Sequence, residues 1–91
     1  MNIMSTEAPK IEFPCAYPIK VMGEAHSELE QQVIDVLAHN NVEFDRRLMS
    51  TRNSRRGRWR SITVMIQATG EPQLKAIFEG LKSCSRVRMV L

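Results

Sequence analysis

Cysteine is scarce in this sequence of 91 residues, which contains only Cys15 and Cys84. Two thiolates are too few for an iron–sulfur cluster held by four cysteines. Neither cysteine has a second Cys or a His at the spacing of a zinc site. A structural disulfide is rare in a reducing compartment. We therefore expect two free thiols, no metal site and no other cofactor.

Long apolar runs and a basic, apolar leader are also missing. The apolar runs are a few residues long, whereas a membrane span needs about 20, and residues 1–9 are polar and acidic. These absences predict a cytoplasmic location without membrane association. A chain of this size can build one thin core, such as two helices on one sheet. We expect residues 1–11 to form a flexible tail and residues 12–91 to form a single domain.

The sequence does contain a regular succession of strand and helix patterns. Apolar residues recur at helical spacing after Ser27 and again after Thr69. Strand patterns cover residues 17–22, 43–50, 58–68 and 86–91. The order β, α, β, β, α, β predicts an α+β ferredoxin-like sandwich, with a four-stranded sheet in the order 4-1-3-2 and both helices on one face. We expect the first and third strands to be parallel neighbours and the other sheet face to remain open.

Several residues mark the ends of these elements. Gly23 is expected to end the first strand. Ser27 and Glu30 have the spacing of a capping box at the start of the first helix. Thr69 is expected to cap the second helix, with Pro72 in its first turn.

Positive charge is concentrated in one short stretch. The net charge is +3, but residues 46–60 contain seven arginines and no acid. Such a stretch attracts a polyanion or an acidic partner, and a neighbouring tryptophan can stack on a base or anchor a protein interface. The candidate binding residues are Arg55, Arg56, Arg58, Trp59 and Arg60. The alternative is a hydrated hairpin tip, or one whose arginines pair with acids of the first helix.

The predicted topology places this hairpin at the end of the sheet where the first strand begins. Glu28 and Glu30 lie in the first helix, which begins where the first strand ends. We therefore expect a positive lobe at one end of the molecule and a more acidic region at the other.

The loop between the first strand and the first helix is a second candidate site. Gly23 would let a small effector approach, and the helix start at His26 and Ser27 offers free N–H groups. The alternative is that Gly23 makes a turn and Ser27 is only a cap. The loop has neither an arginine to cradle a phosphate nor a pair of cysteines to carry a metal. We expect no catalytic site and no enzyme activity.

Three stretches of the sequence resemble the YbeD-like family of small bacterial proteins. They are Glu12-Phe13-Pro14-Cys15 running into residues 17–23, the pattern of Ser54, Gly57, Trp59 and Ser61 within residues 54–69, and the ending at residues 87–91. The resemblance implies a fold similar to ACT regulatory domains, which bind small effectors, often as dimers. It implies no catalytic residues. Some members are encoded near a lipoate-attachment enzyme, which implies a link to lipoate metabolism.

Two functional hypotheses follow. The first is a non-enzymatic, ACT-like regulatory module, a monomer or weak homodimer, which binds a small effector or docks a protein partner on the open sheet face. The second is a nucleic-acid-associated protein that binds through the arginine-rich hairpin. An RNA-recognition domain is disfavoured, because only Arg56-Gly57 fits its signature and the aromatic residues that should follow are missing.

Overall fold

The computed structural model describes residues 12–91, so the tail predicted for residues 1–11 lies outside the described part of the chain. The described residues form five strands and two α-helices, which confirms the α+β class. In chain order they are β1 (Cys15–Glu24), α1 (Ser27–His39), β2 (Glu43–Phe44), β3 (Ser50–Asn53), β4 (Trp59–Ala68), α2 (Glu71–Lys82) and β5 (Val87–Val90). Neither helix is long and apolar enough to cross a membrane.

The sheet is built around the pairing of β1 with β4. The two strands pair along their whole length, from Cys15 opposite Ala68 to Glu24 opposite Trp59. β5 lies on the free side of β1, and both β2 and β3 lie on the free side of β4. The predicted neighbours are therefore present, but the sheet has five strands rather than four. The predicted second strand is interrupted at Arg46–Leu48 by a turn of 3-10 helix, where the Asp45 carboxylate accepts a hydrogen bond from the Arg47 N–H at 2.9 Å.

The predicted parallel alignment of the first and third strands is wrong, because β1 and β4 are antiparallel. α1 carries the chain back along the sheet, so β2 and β3 start at the same end as β1. The turn after β3 then reverses the direction of β4. As a result the arginine-rich turn lies at the end of the sheet where β1 finishes, opposite to the predicted end.

The core lies between one face of the sheet and the two helices. Alternate residues of β4 from Ile62 to Ala68 are buried, as their spacing predicted. Burying each large apolar side chain contributes about 1.5–3 kcal/mol. The fully buried side chains come from both central strands and both helices: Ile19, Val21, Leu29, Val33, Leu37, Ile62, Val64, Ile66, Ala68, Ile77 and Leu81.

The start of α1 differs from the predicted capping box. His26 is the N-cap, and its Nδ1 accepts a hydrogen bond from the Glu28 N–H at 3.0 Å. Ser27 is the first helical residue, and the Glu30 side chain bonds to Arg60 instead of turning back to the helix start. An imidazole nitrogen thus takes the place of the predicted serine oxygen, which leaves the Ser27 side chain outside the cap.

The start of α2 also lies one residue later than predicted. Its N-cap is Gly70, which makes no side-chain cap, and Pro72 occupies the first turn as expected. Thr69 does not cap the helix. Its backbone N–H donates to the side-chain oxygen of Gln73 at 2.8 Å, so a residue of α2 binds the residue that precedes the N-cap.

Both cysteines are free, which agrees with the predicted thiols. Cys15 begins β1, whereas Cys84 precedes β5, whose first residue Val87 pairs with Gly23 near the other end of β1. The length of β1 therefore separates them. Burial raises the pKa of the Cys84 thiol, and the nearby charge of Asp35 raises it further.

Gly23 lies inside β1 rather than at its end, which corrects the predicted boundary. A Cβ atom built there would collide with the carbonyl oxygen of Arg86 and would lie 2.8 Å from Cδ1 of Leu29. Glycine is required at this position because α1 and the segment that precedes β5 both pack against the β1 backbone.

We predict that Gly23→Ala destabilises the protein by about 1–3 kcal/mol, because the backbone oxygen of Arg86 has no freedom to move aside. Urea unfolding measures the change. Gly70→Ala is the matched control, since a Cβ there has Pro72 Cδ as its nearest neighbour at 3.6 Å. We expect the control to cost less than about 1 kcal/mol. A Gly23→Ala protein as stable as the parent would show that the close approach at Gly23 is not formed.

Candidate functional site

The turn between β3 and β4 is fixed by backbone and serine contacts. We call residues 52–60 the arginine hairpin. Ser54 N–H donates to the Trp59 carbonyl at 2.7 Å, and Trp59 N–H donates to Ser54 Oγ at 3.0 Å. Gly57 has a φ of 74° and its N–H donates to the Ser54 carbonyl at 2.9 Å, as its predicted place in the turn requires. The hairpin therefore presents its side chains from a defined backbone.

Four arginines of this hairpin are exposed to solvent: Arg52, Arg55, Arg56 and Arg58. Within residues 12–91, none of the four has a nitrogen within 4.0 Å of a carboxylate oxygen. Arg55, Arg56 and Arg58, together with Ser54 and Trp59, line an open surface groove of about 560 Å³, which we call the arginine groove. This groove contains all the predicted binding residues except Arg60.

Arg60 is placed differently from the residues with which the sequence analysis grouped it. It lies on the helix-covered face of β4, and its side chain is only 19% exposed. Nη1 donates to Glu30 at 2.5 Å, and Nε donates to Asn53 Oδ1 at 2.8 Å. Arg60 therefore joins the hairpin to α1, and its charge is already paired.

The glutamates of α1 lie at the same end of the sheet as the hairpin, which corrects the predicted separation of charge. The antiparallel course of β4 brings its first residues beside the start of α1. Glu30 pairs with Arg60, and Glu28 pairs with Arg86. These two glutamates are thus close to the hairpin, but they are engaged by Arg60 and Arg86 and not by its four exposed arginines.

A third glutamate at this end of the sheet, Glu24, is also paired with arginines. Glu24, at the end of β1, accepts hydrogen bonds from Arg86 Nη1 at 2.7 Å and from Arg88 Nη2 at 2.6 Å. The hydrogen bond from Arg86 and the charges of both arginines hold the pKa of Glu24 below its ordinary value of 4.5. We call Glu24, Glu28, Arg86 and Arg88 the corner network. It joins β1, α1 and β5, and sequence reasoning missed it because its members are separated by as many as 64 residues.

The two predicted sites, the effector loop and the arginine hairpin, are neighbours. Ala25 N–H donates to the Arg58 carbonyl at 3.0 Å, so the loop after β1 is bonded to the hairpin. The three loop residues themselves have structural roles. Gly23 is packed against Arg86, His26 caps α1, and Ser27 begins the helix. Their placement leaves the arginine groove as the candidate site at this end of the molecule.

The open face of the sheet continues from the groove. Trp59 projects onto this face and is 41% exposed. Three methionines share the face: Met22 is 36% exposed, Met65 43% and Met89 51%. Met22 also lines a small groove of about 120 Å³ with Trp59 and Arg52. Cationic and apolar side chains therefore form one continuous surface.

No group of three His, Cys, Asp or Glu side chains within residues 12–91 is arranged to hold a metal ion.

The comparisons with known proteins agree on family and fold. Residues 8–91 match a family described as "Protein of unknown function (DUF493)". A relative from Azotobacter vinelandii, named UPF0250 protein, is 44% identical over 92 residues that cover 100% of both chains. The solution structure of HP0495 from H. pylori matches with a TM-score of 0.80 at 16% identity, covering 100% of this chain and 96% of that one.

An ACT domain is also similar in structure. The crystal structure of the ACT domain from the GTP pyrophosphokinase of Chlorobium tepidum matches with a TM-score of 0.66 at 18% identity, covering 84% of this chain and 92% of that one. At this level of identity the likeness concerns the fold, and it confirms the ACT-like, ferredoxin-like architecture.

We predict that the corner network stabilises the protein at neutral pH and that this contribution is lost in acid. A carboxylate whose pKa is lowered by folding contributes stability above its unfolded value, and this contribution is lost as the pH falls through the lower folded value. For Glu24 the contribution is complete above about pH 4.5 and disappears below it. Glu24→Gln should therefore lower stability at neutral pH and flatten the dependence of unfolding free energy on pH as the pH falls below about 4.5.

Glu43→Gln is the control for this measurement, because Glu43 is exposed and has no ion pair within residues 12–91. Equal slopes for the parent and Glu24→Gln, measured by urea unfolding at each pH, would show that the network adds nothing to stability.

Proposed function

The chain belongs to the DUF493 family, as its resemblance to YbeD-like proteins predicted, and we propose that it is a non-enzymatic regulatory module that binds an acidic partner protein. The binding surface is the arginine groove together with the adjoining open face of the sheet. The observation that carries the proposal is the distribution of ion pairs. The three glutamates at this end are engaged by Arg60, Arg86 and Arg88, whereas the four exposed arginines of the hairpin have no carboxylate partner within residues 12–91.

The unpaired arginines favour an anionic partner for a simple electrostatic reason. Like charges on one short hairpin repel one another, and a partner carboxylate relieves this repulsion while it gains an attraction of its own. Such charges mainly increase the rate of association and the discrimination between partners. Their effect decreases with salt, because the Debye length is about 8 Å at physiological ionic strength.

The apolar part of the surface supplies contact area. Tryptophan and arginine are over-represented among the residues that dominate binding energy at protein interfaces. Methionine side chains are flexible and adapt to different partner surfaces. Trp59 lies beside the arginines, and Met22 continues the apolar surface along the sheet. This combination suits a protein surface with acidic side chains around an apolar patch.

A macromolecular partner is favoured over the small effector considered in the sequence analysis. All five residues that line the arginine groove are exposed, whereas small-ligand sites enclose about 70–90% of their ligand. The sequence predicts that Gly23 lets an effector approach, but Arg86 and Leu29 occupy the space beside Gly23. The module is regulatory by analogy with the ACT domain of the C. tepidum enzyme. The link to lipoate metabolism stays a prediction from the family resemblance.

Nucleic acid is the second candidate, because Trp59 is exposed beside three arginines. A base stacked on an aromatic side chain contributes about 1–3 kcal/mol, and phosphates would pair with the arginines. Affinity for nucleic acid falls steeply with salt, with a slope set by the number of phosphates contacted.

The test compares two charge-matched variants of the full chain. Arg55→Gln/Arg58→Gln removes two charges from the groove, and Lys75→Gln/Lys82→Gln removes two exposed charges from α2. A partner captured from bacterial extract and identified by mass spectrometry is titrated against each protein. We expect the arginine variant to bind about tenfold more weakly, a loss of about 1.4 kcal/mol, and the lysine variant to bind as the parent does. Equal affinities for all three proteins would contradict the proposal.

Nuclease treatment of the extract separates the two candidates. A protein partner survives the treatment. If capture disappears and a single-stranded oligonucleotide binds with the same dependence on Arg55 and Arg58, the nucleic-acid function is correct instead.

A further inference from the structure

β3 is an exposed edge of the sheet. All four of its residues, Ser50–Asn53, are exposed. It pairs with β4 on one side, and no other strand within residues 12–91 pairs with it on the other. Edge strands present free N–H and C=O groups to any extended chain that can approach them.

The hairpin geometry identifies which groups point outward. In an antiparallel pair, opposed residues alternate between hydrogen-bonded and non-hydrogen-bonded pairs. The bond from Ser54 N–H to the Trp59 carbonyl marks the first bonded pair. The next hydrogen-bonded pair is Arg52 with Ser61. The N–H and C=O groups of Thr51 and Asn53 therefore face away from β4, toward the free edge.

The two sides of this edge differ in chemistry. Arg52 lies opposite Ser61 on the open face of the sheet. On the helix side, Thr51 borders a groove of about 370 Å³ that is lined by apolar Ile34 and Met49 and otherwise by the polar side chains of Ser27, Glu30, Gln31 and Arg46. The Glu30 carboxylate is paired with Arg60. An added strand would place alternate side chains beside Arg52 and the others over this groove, where Ile34 and Met49 offer apolar contact. The edge thus fits a segment in which acidic and apolar residues alternate.

Arginines also flank the edge at both ends. Arg46 precedes β3 and Arg55 follows it, and both are exposed without a carboxylate partner within residues 12–91. Charged edges normally prevent sheets from joining edge to edge. Pairing of β3 with β3 of a second copy would bring these like charges together, which disfavours self-association. An acidic strand would instead be attracted by these arginines.

We infer that the partner of this protein contributes an extended acidic segment, which binds by adding a strand to the free edge of β3. The inference rests on the proposed function and specifies its binding mode. Backbone hydrogen bonds to Thr51 and Asn53 hold the strand, and the arginines select its charge. Such strand addition uses main-chain bonds for affinity and alternate side chains for specificity.

The probe is a capped peptide of alternating glutamate and valine, about eight residues long, which spans the roughly 13 Å of β3. Amide hydrogen exchange of the labelled full chain is followed by NMR with and without the peptide. We expect exchange at Thr51 and Asn53 to slow several-fold, because their N–H groups become bonded. The exposed residues Arg88 and Met89 of the other edge strand, β5, should be unaffected. Lack of protection at Thr51 and Asn53 under peptide saturation overturns the inference.

A matched pair of variants tests the same bond from the protein side. Thr51→Pro removes an outward N–H, which an edge strand tolerates, and Thr51→Ala keeps it. We expect Thr51→Pro to weaken peptide binding about tenfold and Thr51→Ala to leave it unchanged. If proline disturbs β3, the same peptide N-methylated throughout provides the test, because it keeps its charge but cannot donate. Equal binding of the two peptides overturns the inference.

The outcomes also separate this inference from the proposed function. Peptide binding that needs Arg55 and Arg58 but leaves Thr51 and Asn53 unprotected refutes strand addition and leaves the acidic partner in place. If the peptide fails to bind but binding of the extract partner still needs Arg55 and Arg58, strand addition is likewise refuted and the acidic partner stays in place. Binding of a single-stranded oligonucleotide but no acidic peptide refutes both, as does a β3-paired homodimer.

Discussion

The antiparallel pairing of β1 with β4 is the constraint on which the rest of the structure depends. Ten residues of each strand face one another, from Cys15 opposite Ala68 to Glu24 opposite Trp59. This register places the last residues of β1 beside the first residues of β4. The loop into α1 and the hairpin before β4 must therefore meet at one end of the sheet, where Ala25 and Arg58 are joined by a backbone hydrogen bond.

Charges of both signs therefore lie together at this end of the sheet, and the contacts there decide which of them are paired. Glu24, Glu28 and Glu30 are held by arginines that come from the sheet and from the segment before β5. These pairs are partly exposed, so each adds little to stability by itself. Their larger consequence is that, in the described part of the chain, no glutamate at this corner remains to pair with the exposed arginines of the hairpin. The same contacts that fix α1 to the sheet leave the hairpin positively charged.

Much of the architecture could be predicted from local patterns. The alternation from Ile62 to Ala68 predicted which face of β4 is buried, and the turn at Gly57 was recognised from its composition. The direction of β4 relative to β1 was mistaken, and the predicted separation of the arginine hairpin from the glutamates of α1 was therefore wrong, because both lie at the same end of the sheet. Arg60 was grouped with the exposed arginines although the alternation of β4 places it on the same face as Ile62. What sequence spacing cannot show is that this face brings Arg60 within reach of Glu30.

The sequence by itself determined the class of the domain, its buried stripes and the concentration of arginine in one turn, because periodicity and composition are properties of neighbouring residues. Only the tertiary structure decided which charges pair and which stay free. Glu24 and Arg86 are 62 residues apart, and Glu30 and Arg60 are 30 apart. Such contacts depend on the path of the chain and on the register of strands, which a one-dimensional pattern does not specify. The free edge of β3 is decided in the same way, since a strand is an edge only through what does not lie beside it.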